Sequence, residues 1–186
     1  MESILTKKIK KSIRSYNPAL GSSMRTVRWA EEVDTGLGGY VDSIRFEDYI
    51  QKDNSFCVRD CCKISGEKYP NKKCKGCFHV RHDYDLGILT TCYEVKITKS
   101  DFKSKNGHNF IGNCNYYVIP KDLYKEIKDL IPIDIGVILY YENGSLRKKK
   151  DCIFKDIEKD ILIKLLYNSM KKWCDLNIFQ LEKFLN

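Results

Sequence analysis

Leu86-Gly87-Ile88-Leu89-Thr90-Thr91-Cys92-Tyr93-Glu94-Val95-Lys96-Ile97 is the stretch on which the fold turns. It is rich in β-branched and aromatic residues, which suit a pleated, half-buried surface, so it reads as a strand. Alternate residues of a strand share a face, so Glu94 and Lys96 project together while Val95 points the other way. A carboxylate and an ammonium thus stand side by side. The acid-any-lysine pattern recurs at Asp101-Phe102-Lys103 and Glu126-Ile127-Lys128, but both lie in helix-like segments, where residues two apart do not share a face.

Downstream, Lys99 to Lys103 should begin a helix or turn, Asn115 to Ile119 reads as a strand stopped by Pro120, and Asp122 to Leu130 as an amphipathic helix. Ile135 to Tyr141 is another strand. Glu142-Asn143-Gly144 signals a hairpin into Ser145-Leu146-Arg147 and the basic run Lys148 to Lys150. Ile157, Ile161, Leu165 and Leu166 recur at helical spacing in a C-terminal helical segment over 156–186. Upstream, Gly38-Gly39 opens an alternating strand, Tyr40 to Phe46. Before it, Ser22 or Ser23 is expected to cap a helix through Val27, Trp29, Ala30 and Val33, broken at Asp34-Thr35-Gly36. Residues 1–20 carry Lys7, Lys8, Lys10, Lys11 and Arg14 and read as a basic N-terminal helical arm, either a solvated face or a nucleic-acid contact. The succession of strands and helices predicts an α/β (α+β) core with a mixed central sheet.

The 186 residues, 42% of them hydrophobic, suffice for one domain with a proper core. Lys and Arg outnumber Asp and Glu by 33 − 25 = 8, which favours a polyanionic partner. No apolar run approaches the roughly 20 residues that span a bilayer, and the N-terminus lacks the apolar core of a signal peptide, so a soluble, cytoplasmic protein with no membrane partner is expected.

Five of nine cysteines, Cys57, Cys61, Cys62, Cys74 and Cys77, crowd into one short stretch, whereas Cys92, Cys114, Cys152 and Cys174 are scattered and read as small core residues. Between residues 51 and 85 periodicity gives way to Cys, Lys and Gly, the composition of a metal-stapled insertion. Cys74-Lys75-Gly76-Cys77 forms a knuckle, and Cys57 with Cys61 supplies a second thiolate pair for a structural, tetrahedral Zn²⁺. Cys62 competes with Cys61, His79 or His82 can replace either, and an iron–sulfur cluster is the alternative. Lys63, Lys68, Lys72, Lys73, Lys75 and Arg81 make this lobe basic, either to grip phosphates or as a solvated face.

Asp42 is a charge within a strand, between Val41 and Ile44, where apolar residues would serve better. Beside Glu94 it completes a hard, oxygen-rich site for Mg²⁺ or Mn²⁺. There Lys96 can orient an attacking water and stabilise a pentavalent phosphorus. The plainer alternative is a partly buried ion pair closing a sheet edge.

Asp42 in Gly39-Tyr40-Val41-Asp42, followed by Glu94-Val95-Lys96 on the next strand, resembles the PD-(D/E)XK nuclease superfamily, with Val41 where the motif's proline often stands. Glu94 to Phe102, Gly107-His108-Asn109-Phe110 with Gly112, Asn115 to Pro120, the Leu123-Tyr124 helix and Pro132 with Ile135-Gly136-Val137 are similar to a phage and Firmicute branch related to MmcB-like DNA-repair proteins. The resemblance spans roughly residues 24–150 and is most specific over 86–140. It implies a restriction-endonuclease-like core within a single domain, hydrolysis of DNA in repair, recombination or phage DNA processing, metal ligands at Asp42 and Glu94, and Lys96 as catalytic lysine. A glutamate on the preceding helix, Glu31 or preferably Glu32, is implied as a further metal ligand. Two departures are the missing proline and the acid-to-acid gap of 94 − 42 = 52 residues, which the Cys-rich insertion explains. Lys99, Lys103, His108 and Asn109 are candidate DNA contacts, His108 and Asn109 alternatively closing their loop by hydrogen bonds. A homodimer would suit cleavage of both strands, and a catalytically silent protein that binds DNA or a host nuclease complex is the alternative function.

Overall fold

The computed structural model describes residues 3–16, 27–53, 56–57, 80–81 and 84–185. The chain divides into two compact units, Met1–Glu47 with Leu89–Asn186, and Asp48–Ile88. The elements are α1 (Ile4–Ser15), β1 (Val27–Asp34), β2 (Tyr40–Asp53), β3 (Phe56–Cys57), β4 (Val80–Arg81), β5 (Tyr84–Val95), α2 (Lys99–Lys103), β6 (Cys114–Pro120), α3 (Lys121–Ile127), a single 3₁₀ turn (Lys128–Leu130), β7 (Gly136–Tyr140), β8 (Leu146–Lys150) and α4 (Lys159–Leu185).

Six strands form one mixed sheet in the order β1-β2-β5-β6-β7-β8. β1 runs antiparallel to β2, β5, β6 and β7 run parallel, and β8 returns antiparallel on β7. The protein is therefore mixed α+β with helices flanking the sheet, the class expected from its strand and helix pattern. On one face Phe102 of α2 and Leu123 and Ile127 of α3 pack with Tyr117, Ile119, Val137 and Leu139. On the other, Ile9 and Ile13 of α1 pack with Tyr93, Val95, Val118 and Ile138. Each fully buried aliphatic side chain of this kind contributes about 1.5–3 kcal/mol.

Three expectations need correction. The segment holding Val27, Trp29, Ala30 and Val33 is a strand, not a helix, so Glu32 reaches the molecule's chemistry from β1. Its spacing imitates a helix because Ala30 and Val33, three residues apart, are the two buried positions. Residues 4–15 do form a helix, started by Ser3, whose hydroxyl accepts the N–H of Thr6 at 3.0 Å. It is no free arm, since Ile9, Lys10 and Ile13 are buried, while Lys7, Lys8, Lys11 and Arg14 form a solvated face. Trp29, expected on a helix, instead packs in the sheet against Tyr93, and the indole N–H of Trp173 on α4 donates to the Trp29 carbonyl at 2.6 Å.

In the Asp48–Ile88 unit, β3 and β4 pair antiparallel, Phe56 opposite Arg81 and Cys57 opposite Val80. Of the expected zinc ligands, Cys57 stands on β3, while Cys61, Cys74 and Cys77, with the alternatives Cys62, His79 and His82, lie outside the described residues.

Candidate active site

Glu94 is the penultimate residue of β5, and Lys96 follows it by two residues, its N–H donating to the Val118 carbonyl at 3.2 Å so that the strand geometry persists. Both side chains are buried, Glu94 to 1% and Lys96 to 3% residual exposure. Asp42 comes from β2, the neighbouring strand, and its Oδ2 accepts the N–H of Val95 at 2.8 Å. The Asp42 and Glu94 carboxyl groups stand close enough to interact. Burial first, and then the charge of Asp42, push the Glu94 carboxyl up to about 8, against the N–H of Asn109 and the charge of Lys96. Near neutral pH the Glu94 carboxyl thus keeps its proton.

Lys96 is held from the other side. Its ammonium donates to the carbonyl of Asn106 at 2.6 Å and lies 3.5 Å from Asp101 Oδ1. Asp101 is fixed by accepting the N–H of Ile97 at 3.1 Å, while its own N–H donates to Thr98 Oγ1 at 3.1 Å. Gly107 closes over the pair with φ +70°, and a Cβ there would stand 2.6 Å from Lys96 Nζ and 3.1 Å from Glu94 Oε2. A side chain there would be strained by conformation and would require the Lys96 ammonium to shift.

These groups line a cleft of about 610 Å³ that also takes in Lys10, Glu32, Tyr40, Lys105 and Asn109. The Asn109 N–H points to Glu94 Oε1 at 3.4 Å, and its side-chain amide donates to the Tyr40 carbonyl at 2.9 Å, tying the loop after α2 to the start of β2. His108 stands outside the cleft lining: its Nε2–H donates to the Ser104 carbonyl at 2.9 Å, and Nδ1 accepts the hydroxyl of Tyr117. Of the two readings open for His108, loop closure is the one its contacts follow. Lys99 lies 4.0 Å from Glu126, Lys103 is exposed, and neither lines the cleft.

Asp42 and Glu94, 52 residues apart, are brought together with Lys96, and Glu32 lines the same cleft. Its carboxylate is bonded to the ammonium of Lys10. Among the described residues no three His, Cys, Asp or Glu side chains converge to hold a metal ion. The Asp42–Glu94 pair nonetheless fits a hard divalent cation: two neighbouring oxygen donors are relieved when a cation replaces the proton on Glu94, and water and phosphate oxygens can complete the coordination. Lys10, Lys105, Asp101 and Gly107 are site residues that the sequence reading passed over. A signal existed for Asp101, since Thr98 and Asp101 have the spacing of a helix-starting box. Ile9 and Ile13, four apart, likewise marked α1 as a packed helix.

The fold has a counterpart among solved structures. A protein of unknown function from Silicibacter pomeroyi matches with a TM-score of 0.56 and 11% sequence identity, over 94% of this chain and 90% of that one. At that identity the likeness concerns the fold alone. No protein-family model and no curated protein matches the chain.

Proposed function

We propose that the chain is a divalent-metal-dependent nuclease of the PD-(D/E)XK type that hydrolyses DNA phosphodiesters. The observation that carries this reading is the acid pair of half-buried Asp42 and buried Glu94, set in a cleft beside the Lys96 ammonium two residues further along the chain. Like charges are buried together at a cost, and such perturbed pairs concentrate at functional sites. A bound Mg²⁺ or Mn²⁺ would be held by Asp42 and Glu94 and would activate water and neutralise charge on the phosphodiester. Glu94 would give up its proton in that role, while the Val95 and Asn109 N–H groups keep both carboxylates aimed. Lys96, clamped by Asn106 and Asp101, presents a fixed positive charge to the attacking water and the reacting phosphate oxygens. Tyr40, exposed on the rim, offers a ring on which a base can stack, and Lys105 a charge for the backbone. A structural Zn²⁺ on Cys57, Cys61, Cys74 and Cys77 belongs to the same proposal.

The test is cleavage of linear, nicked, single-stranded and four-way-junction DNA with Mg²⁺ or Mn²⁺, by wild type, Asp42→Asn and Lys96→Ala. Cleavage by wild type that both variants lose, with fold intact, supports the enzyme. A wild type that cuts nothing, or variants that cut equally well, overturns it and turns attention to salt-sensitive DNA binding without hydrolysis.

A further inference from the structure

Helix α1 buries Ile9, Lys10 and Ile13, and the middle one is charged. The two isoleucines dock on Tyr93, Val95, Val118 and Ile138, which fixes where the lysine stem leaves the helix. The ammonium of Lys10 is bonded to the Glu32 carboxylate and lies 3.3 Å from Asp42 Oδ1, so it sits between two acids of the cleft. A buried ammonium is tolerated where carboxylates match it, and this one is matched by the pair that faces the site.

Glu32 is shaped for this contact. Among the described residues it is the one non-glycine with positive φ, at 51°. The β1–β2 ladder pairs Glu31 with Ser43 and Val33 with Val41, and between them Glu32 and Asp42 are not paired. Backbone strain of this sort persists where the surroundings over-determine it, commonly at functional sites.

We infer that Lys10 is a built-in cation of the site: its ammonium takes the place between Asp42 and Glu32 that a second divalent ion would need, so the chain holds one such ion, on Asp42 and Glu94. Glu32 then serves Lys10 and not the metal. The inference rests on the nuclease reading for its first ion, and goes beyond it in fixing the number of ions and the residue that limits it. Two-ion hydrolysis uses a second cation against the reacting oxygens. Here a side chain supplies that charge permanently.

The experiment counts Mn²⁺ bound to the full chain from the electron paramagnetic resonance signal of the free ion. Wild type is expected to bind one ion, which Asp42→Asn loses. Glu32→Gln should keep that ion with its affinity within about twofold, far short of the roughly 10–100-fold that losing even a ligand's supporting partner typically costs. Lys10→Met, which keeps the apolar stem and removes the charge, should bind two, and Lys10→Met combined with Glu32→Gln should return to one. Two ions in wild type, one ion in a folded Lys10→Met protein, or a tenfold weaker ion in Glu32→Gln would each overturn the role of Lys10 while leaving the nuclease reading standing. An ion count indifferent to Asp42→Asn overturns both. Should Lys10→Met lose the fold by circular dichroism, Glu32→Gln decides alone.

Discussion

Strand β2 carries three charged side chains that strand alternation sends to opposite faces of the sheet: half-buried Asp42 on one, buried Arg45 and Glu47 on the other. The Arg45–Glu47 pair is matched, with Arg45 Nη2 donating to Glu47 Oε2 at 2.6 Å, and Arg45 also lies over the ring of Trp29. Asp42 meets a second acid, Glu94, whose carboxyl burial first and then the charge of Asp42 push up to about 8. Burial is comparable, with Glu47 at 3% and Glu94 at 1% exposure. Chemistry, not depth, separates them. A matched pair settles its desolvation within the fold, whereas two acids side by side are left waiting for a proton or a cation.

The sharpest way to break the comparison is to neutralise each glutamate. Glu47→Gln strands the buried Arg45 and should cost about 3–5 kcal/mol in urea unfolding. Glu94→Gln removes a like-charge conflict and should leave the metal-free protein at least as stable; a loss equal to that of Glu47→Gln would erase the distinction. Next, Lys96→Ala should lower cleavage by on the order of 10²–10³-fold, the scale of losing one fixed electrostatic group, measured in single-turnover assays. The pH dependence is smaller per unit. Because Glu94 is raised from 4.5 to about 8 in the fold, the folded chain keeps a proton that the unfolded chain has released. Stability from this group is full below about pH 4.5 and is lost as pH rises through about 8, with a slope approaching ~1.4 kcal/mol per pH unit. Subtracting the Glu94→Gln profile from that of wild type isolates it. Last, Gly107→Ala should cost about 1–2 kcal/mol from its left-handed backbone, with a further loss of cleavage as Lys96 is displaced.

The parts of this molecule that could be read from residues alone are those where local preference and burial agree. β5, β6 and β7 announce themselves by β-branched and aromatic runs with punctuation at Pro120 and Gly144, and placing Glu94 and Lys96 on one strand follows from alternation. β1 was hidden because its strained Glu32 and the buried positions Ala30 and Val33 mimic a helical repeat. Lys10 was hidden for a different reason: in a run of lysines nothing local distinguishes the one that folding buries. Its partners lie 22 residues away at Glu32 and farther at Asp42, and only the assembled sheet brings them to it.

The most direct test of the claim that the Asp42–Glu94 pair is the working site and the Arg45–Glu47 pair is architecture is Mn²⁺-dependent DNA cleavage by two variants compared with wild type. One is Glu94→Gln; the other is the double replacement Arg45→Met with Glu47→Leu, which exchanges a buried ion pair for apolar residues, a change that is often neutral for stability. Cleavage should vanish in the first and persist near the wild-type rate in the second. A Glu94→Gln protein that cuts DNA as fast as wild type would contradict the account.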